Sequence, residues 1–290
     1  MQVDYTELGA TLFVPATHKD LMAVVEGKKY PNLKSVVIDS EDAISNDELL
    51  DAIKNIKKIL INFKNSKCLV FIRPRDCEVL KKFLTFKGID KIDGFILPKF
   101  SLLNANKYLT LIRDKYRFMP SIEGEELFNH SQLIKLKDIL LPHKKQIILV
   151  RFGLEDMLRQ LGMKRGCKHS LFDFSASSLV VGNFIATFKS VGFKVSAGVY
   201  PCFKDSKGFE KDVLRDLKEG LFSKTIIHPN QIELINELYK VTWLEFSEAC
   251  EIYMSTDSVF KQNDKMAEVV TMLPYSQEII KRAEVYGIKD

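Results

Sequence analysis

Apolar residues along this chain fall into short, nearly continuous runs separated by stretches of helical periodicity. The runs are TLFV (11–14), SVVID (35–39), CLVFIR (68–73), GFILP (94–98), RFMPSIE (117–123), QIILVR (146–151), KVSAGVY (194–200) and SKTIIH (223–228). They do not alternate apolar with polar, as a strand wet on one face would. Continuous runs of this length fit parallel strands covered on both faces. Between them, apolar residues recur every three or four positions. Ser45 and Glu48 have capping-box spacing ahead of a stripe of Leu49, Leu50, Ile53, Ile56, Ile59 and Leu60. Asn230, with Glu233 three positions on, is placed to cap a helix carrying Ile232, Ile235 and Leu238. Strand and helix alternate eight times. The pattern predicts an α/β fold, a (β/α)8 barrel, over residues 1–240. A doubly wound open sheet is disfavoured by the count and by the lack of a glycine-rich phosphate loop after the first strand. Residues 241–290 are charged and show no strand pattern, and are expected to form extra helices packed on the barrel or on a neighbouring subunit.

Composition narrows the function. The chain has 290 residues, 46% of them hydrophobic, enough for a sizeable core. Apolar runs fall short of a membrane span, and the first residues lack the basic-then-apolar order of a signal peptide. The expectation is a cytoplasmic protein that engages no membrane. The net charge of +5 comes from lysines spread at helical spacing. No nucleic-acid-binding signature accompanies them, so a small anionic partner is expected instead. The five cysteines are an odd number, scattered, with no CxxC pair. That spacing predicts neither a disulfide framework nor a zinc site.

In a barrel of this kind, chemistry sits at the C-terminal ends of the strands. Those ends carry Asp39, Glu41 and Asp42 after the second run, Arg73 and Arg75 after the third, Lys99 after the fourth and Glu123 after the fifth. The sixth leads through Arg151 into FGLEDM, with Gly153 and Asp156. Asp205 follows the seventh, and His228 the eighth. Glu123 and Asp156, with no sulfur or histidine cluster beside them, suit a hard cation such as Mg²⁺ or Mn²⁺. Arg73 can hold a carboxylate in a two-pronged grip, and Arg75 can add another or meet a phosphate. Glu41 or Asp42 can act as a base if burial raises its pKa. Asp39, Arg75, Lys99, Gly153, Asp205 and His228 are the candidate substrate contacts. A Schiff base on Lys99 ranks below an anion contact there. His228, just before Pro229, equally suits a helix start.

The segments LFVPATH, VVIDSEDAIS, GFILPK, SIEG, FGLEDMLRQLG, KDSKGF and IIHPNQI occur in an order that resembles the HpcH/HpaI aldolase and citrate lyase beta-subunit family, across residues 11–235. DKMAEVV, near residue 264, resembles its C-terminal helical segment. The resemblance implies a TIM barrel that forms trimers or hexamers and makes or breaks carbon–carbon bonds in oxo-acids and acyl thioesters. It implies metal ligands at Glu123 and Asp156, a carboxylate-binding arginine at Arg73 and an acidic motif at Asp39, Glu41 and Asp42. There are departures. RPRD replaces the usual RVNP, Gly124 replaces a small hydroxyl residue, and two acids are missing between Ala197 and Cys202. These point away from citryl-thioester cleavage and toward the divergent citrate-lyase-like branch associated with tellurite-resistance and stress-response gene clusters. The expected function is a Mg²⁺-dependent carbon–carbon lyase or aldolase, acting on an anionic oxo-acid or acyl thioester through an enolate. The alternatives are a non-catalytic barrel kept for ligand binding or assembly, and a phosphate-ester enzyme suggested by the paired arginines.

Overall fold

The computed structural model describes residues 3–290. All eight expected strands form. They are β1 (Thr11–Pro15), β2 (Ser35–Asp39), β3 (Leu69–Arg73), β4 (Gly94–Leu97), β5 (Phe118–Ile122), β6 (Arg151–Phe152), β7 (Ser196–Ala197) and β8 (Phe222–Ile226). All pair in parallel, in the order β6-β5-β4-β3-β2-β1-β8-β7. Val150 bridges Val195, and its backbone bonds to Lys194 and Ser196 join the two outer strands. The sheet therefore closes into the expected barrel. The strands at that seam are short, two residues each, so the apolar run 146–151 is mostly bridge and loop.

Helices α1 (Leu21–Val25), α2 (Leu49–Asn62), α3 (Cys77–Phe83), α4 (Ala105–Ile112), α5 (His130–Leu140), α6 (Leu154–Gln160), α7 (Ser175–Lys189) and α8 (Ser206–Lys218) alternate with the strands. In α2 the stripe Ile53, Ile56, Ile59 and Leu60 is buried, whereas Leu50 is exposed. Glu48 accepts from the backbone and hydroxyl of Ser45, so the capping box forms on one side alone.

Period-two alternation sends Thr11, Phe13 and Pro15 of β1 to one face, in register with Ser35, Val37 and Asp39 of β2 and with Leu69, Phe71 and Arg73 of β3. That face is the barrel interior. Its floor is polar: Ser35 donates to Thr11, and the Thr11 and Ser223 hydroxyls lie 3.0 Å apart. Phe13 and Phe71 fill the middle, and Asp39 and Arg73 stand at the top.

The chain forms two compact units, Met1–Ile232 and Glu233–Asp290. The second begins within α9 (Ile232–Leu238) and contains α10 (Trp243–Met254) and α11 (Val269–Tyr286), the extra helices expected after the barrel. Val241, Ala249, Ile279 and Ala283 form its core. It also has strands that the sequence did not signal. β9 (Val241–Thr242) pairs with β12 (Ile288–Lys289), and β10 (Val259–Gln262) with β11 (Lys265–Glu268). Val259 and Met266 of the hairpin are exposed, so no apolar run marked it. Among the described residues, no helix is long and apolar enough to cross a membrane.

Candidate active site

The top of the barrel gathers the acids of the β2 end around cations from β3 and β4. Asp39 and Arg73 are register partners at the last residues of their strands. Arg73 Nε and Nη2 each lie 2.7 Å from an oxygen of Asp39. Its Nη1 lies 2.8 Å from Glu41 and 3.1 Å from Asp42. The grip expected for a substrate carboxylate is thus made on Asp39, which is 1% exposed. Lys99 Nζ contacts Glu41 and lies 3.1 Å from Asp42. Against the pull of burial, Glu41 holds this lysine charged and raises its pKa, which removes the free amine a Schiff base needs.

Glu41 and Asp42 now separate. Burial pushes the Glu41 carboxyl up to about 7, with Arg73 opposing. Asp42 is shifted down: its bond to Glu41 and the charges of Arg73 and Lys99 outweigh its own burial. Arg75 does not supply a second grip at the mouth. Its guanidinium turns into the loop after β2 and contacts the Ile44 carbonyl and Asn46, with Ser40 and Glu41 carbonyls at 3.4 and 3.3 Å. It holds the acidic loop in shape.

Glu123 and Asp156 come together as expected, from the end of β5 and the first turn of α6. Glu123 is 6% exposed, and one of its oxygens accepts the Lys99 backbone N–H at 2.5 Å. Lys99 has φ 47°, a left-handed conformation that aims this N–H inward. Burial, reinforced by the Asp156 carboxylate, pushes Glu123 up to about 8. Asp156 is also paired with Arg159 at 2.8 Å. Gly153 contributes by absence: a Cβ there would lie 2.1 Å from the Glu123 Cβ. The pair opens on a cleft of about 550 Å³, lined also by Lys99, Gly124, Glu126, Arg159 and Gln160.

These residues fit a hard divalent cation. The donors are oxygens, the buried Glu123 carboxylate is crowded by that of Asp156, and a small neighbour leaves room. Among the described residues, no group of three or more His, Cys, Asp or Glu side chains could hold a metal. Waters and ligand oxygens would complete a shell of the kind Mg²⁺ keeps.

Asp205 and His228 play local parts. Asp205 caps α8, accepting from Gly208 N–H at 3.0 Å, and lines a separate cleft with Cys167, Tyr200 and Lys211. His228 caps the 3-10 turn Pro229–Gln231 and stacks on Phe203 at 4.5 Å. Asn230, expected to be the cap, instead donates its N–H to His228 Nδ1.

The cysteine expectation needs correcting. Cys167 and Cys202 form a disulfide, with Cα atoms 5.6 Å apart across 35 residues of sequence. It ties the loop after α6 to the loop after β7, so Cys202, where an acid was missing, is a cross-link.

Two groups of buried charges were not marked by any motif. Lys224 of β8 sits 2.5 Å from both Asp212 and Asp216 of α8, and Arg165 lies 3.0 Å from Asp212. Arg151 points into the barrel interior. For Lys224 a charged residue inside a strand run was the available signal, and for Arg151 a charge closing the apolar run 146–151.

The family described as C-C_Bond_Lyase of the TIM-Barrel fold matches residues 2–288. A (3S)-malyl-CoA thioesterase of Cereibacter sphaeroides is 22% identical over 233 residues, covering 79% of this chain and 76% of the relative. The mitochondrial citramalyl-CoA lyase of Rattus norvegicus is 24% identical over 267 residues, 83% of this chain and 75% of the relative. Among solved structures, the CitE protein of Mycobacterium tuberculosis, in complex with magnesium, acetoacetate and coenzyme A, superposes with a TM-score of 0.70. It is 15% identical and covers 95% of this chain and 98% of its own. A citrate lyase from Burkholderia xenovorans LB400 reaches 0.73 at 16% identity, covering 97% and 93%.

Proposed function

This chain belongs to the carbon–carbon bond lyases of the TIM-barrel fold, and on that premise we propose that it is a divalent-metal-dependent lyase or aldolase acting on an anionic oxo-acid or its acyl-thioester relative. The observation that carries the reading is the pairing of buried Glu123 with half-buried Asp156 at the barrel mouth, with Glu41 nearby and pushed up to about 7.

Glu123 and Asp156 would hold the cation, which would supply Lewis-acid polarisation of a ligand carbonyl when bound. The remaining work falls to the chain's own groups. Glu41 is the proton carrier. A carboxyl with a pKa near neutrality takes a hydroxyl proton in one direction and returns it in the other. Lys99 and Arg73, each held charged by the acids around them, keep positive potential over the ligand as its carbonyl oxygen gains negative charge. Arg73 meets an incoming carboxylate with its Nη1 edge, where Glu41 and Asp42 now sit. Displacing Glu41 from that edge frees it to move its proton. Asp42, shifted down, stays ionised and fixes Lys99. Self-association and a cytoplasmic setting are part of the proposal.

A second reading keeps the barrel for ligand binding without catalysis. It is favoured by the Cys167–Cys202 cross-link, which occupies the β7 rim where the family resemblance leads one to expect acids. Deuterium exchange separates the two. With Mg²⁺ in D₂O, the methyl protons of pyruvate should exchange in the presence of wild type, and exchange should be lost in Glu123→Gln. Pyruvate that exchanges no faster with protein than without it overturns the catalytic reading.

A further inference from the structure

Arg151 has no role in that scheme, yet its position is costly. It is the first residue of β6, in register with Ser121, and it shares the interior face with Met119 and Glu123. It is 4% exposed. Its guanidinium bonds Thr225 Oγ1, reaches Met119 Sδ at 3.9 Å and lies 5.3 Å from the centroid of the Phe13 ring. Arg73 lies 5.0 Å from the same ring. No carboxylate is within ion-pairing distance of Arg151 among the described residues, whereas Arg73, Lys99 and Arg159 are each ion-paired. Burial, with the repulsion of Arg73, lowers its pKa to about 9, and the charge of Glu123 opposes that fall.

A buried cation without a counter-charge is expensive. A hydroxyl, a thioether and a ring face are weak partners for it. A methionine would fill the same space without the charge, so packing does not account for an arginine. What the position offers is a fixed positive charge inside the barrel, close enough to Glu123 for the two charges to interact.

We propose that Arg151 is a positioning residue whose uncompensated interior charge draws an anionic oxo-acid into the barrel mouth, at some cost to the binding of the divalent cation alone. The inference rests on the reading of Glu123 and Asp156 given above. With the cation in place, the negative charge of Glu123 that faces Arg151 from a distance is partly neutralised, and the interior keeps an excess of positive charge. An anionic ligand restores the balance. The bare cation, lacking that anion, is repelled by Arg151 through a low-dielectric interior.

The test uses opposite signs, which simple loss of packing does not produce. Mn²⁺ alone, and then pyruvate at saturating Mn²⁺, are titrated calorimetrically into wild type, Arg151→Met and Arg151→Lys. In the methionine variant, Mn²⁺ should bind about threefold tighter or more, and pyruvate about tenfold weaker. The lysine variant, which keeps the charge, should return both values toward wild type. Arg151→Gln serves the same comparison if the methionine variant does not fold. Affinities that stay unchanged, or that weaken together, overturn the inference and leave the metal reading standing. If wild type takes up no Mn²⁺, the metal reading fails instead, and pyruvate titrated without metal decides for Arg151. A tenfold loss in the methionine variant then supports the charge, and equal or absent binding overturns it.

Discussion

Arg73 spends its two-pronged grip on Asp39, a partner from its own chain. A lysine there would keep one ion pair and lose the second charge-assisted bond to a nearly fully buried carboxylate, leaving one of its oxygens with only a backbone N–H from Glu41 or Ala43. Arg73→Lys should therefore destabilise the protein by about 1–3 kcal/mol, read as a drop in melting temperature. A variant that melts like wild type but no longer binds pyruvate would return Arg73 to a pure ligand anchor. At this scale the sequence was informative about residue type and silent about direction. Arg73 and Arg75 look equivalent in RPRD, yet Arg73 is a strand residue on the interior face and Arg75 lies beyond the strand end, turned into the loop. Glu41 and Asp42 are adjacent acids of one motif. Only their surroundings push one up and the other down. Arg151 was given no role because it closes the apolar run 146–151 and reads as a polar strand end, whereas it is the first residue of β6.

Where β5 and β6 meet the first turn of α6, element geometry decides the site. Gly153 N–H bonds the Ile122 carbonyl, which continues the sheet up to the residue before Glu123. A methyl group at Gly153 would strike the Glu123 Cβ and approach its Cα to 3.0 Å. Gly153→Ala should cost about 1–3 kcal/mol through overpacking and should weaken Mn²⁺ binding with it, measured by melts and titration on one sample. Full stability and full metal affinity together would refute this account of the glycine. The eight strands were legible because parallel strands covered on both faces must be apolar throughout. The β10–β11 hairpin was not, because exposed and charged residues carry its pairing. Nor was the Cys167–Cys202 bond, since it joins two loops whose approach depends on barrel closure. Thiol titration of denatured, unreduced protein should count three free thiols, Cys68, Cys77 and Cys250. Five would contradict the cross-link.

Across the whole molecule, the raised carboxyls set how stability depends on pH. Glu41 titrates at about 7 and Glu123 at about 8 in the folded, metal-free protein, against a reference of 4.5. Between those values the folded state holds more protons than the unfolded chain. Stability therefore falls as pH rises through that window, and the contribution of these groups is fully present only below about 4.5. Without metal, the melting temperature should be lower at pH 8.5 than at pH 6, and Mg²⁺ should recover more at the higher pH, where Glu123 is ionised. Glu123→Gln should flatten part of the slope. A metal-free melting temperature that rises over this range would be incompatible with the burial described.

The central claim, that Glu123 and Asp156 hold one divalent cation, is tested most directly by calorimetric titration of Mg²⁺ or Mn²⁺ into wild type, Glu123→Gln and Asp156→Asn. Each variant removes one anionic donor from a site with two, and glutamine also relieves the crowding of a buried carboxylate against its neighbour. The account predicts one bound ion per chain in wild type and a loss of affinity of at least about tenfold in each variant, with metal-free melting temperatures at or above that of wild type. Equal affinity in all three proteins would contradict it.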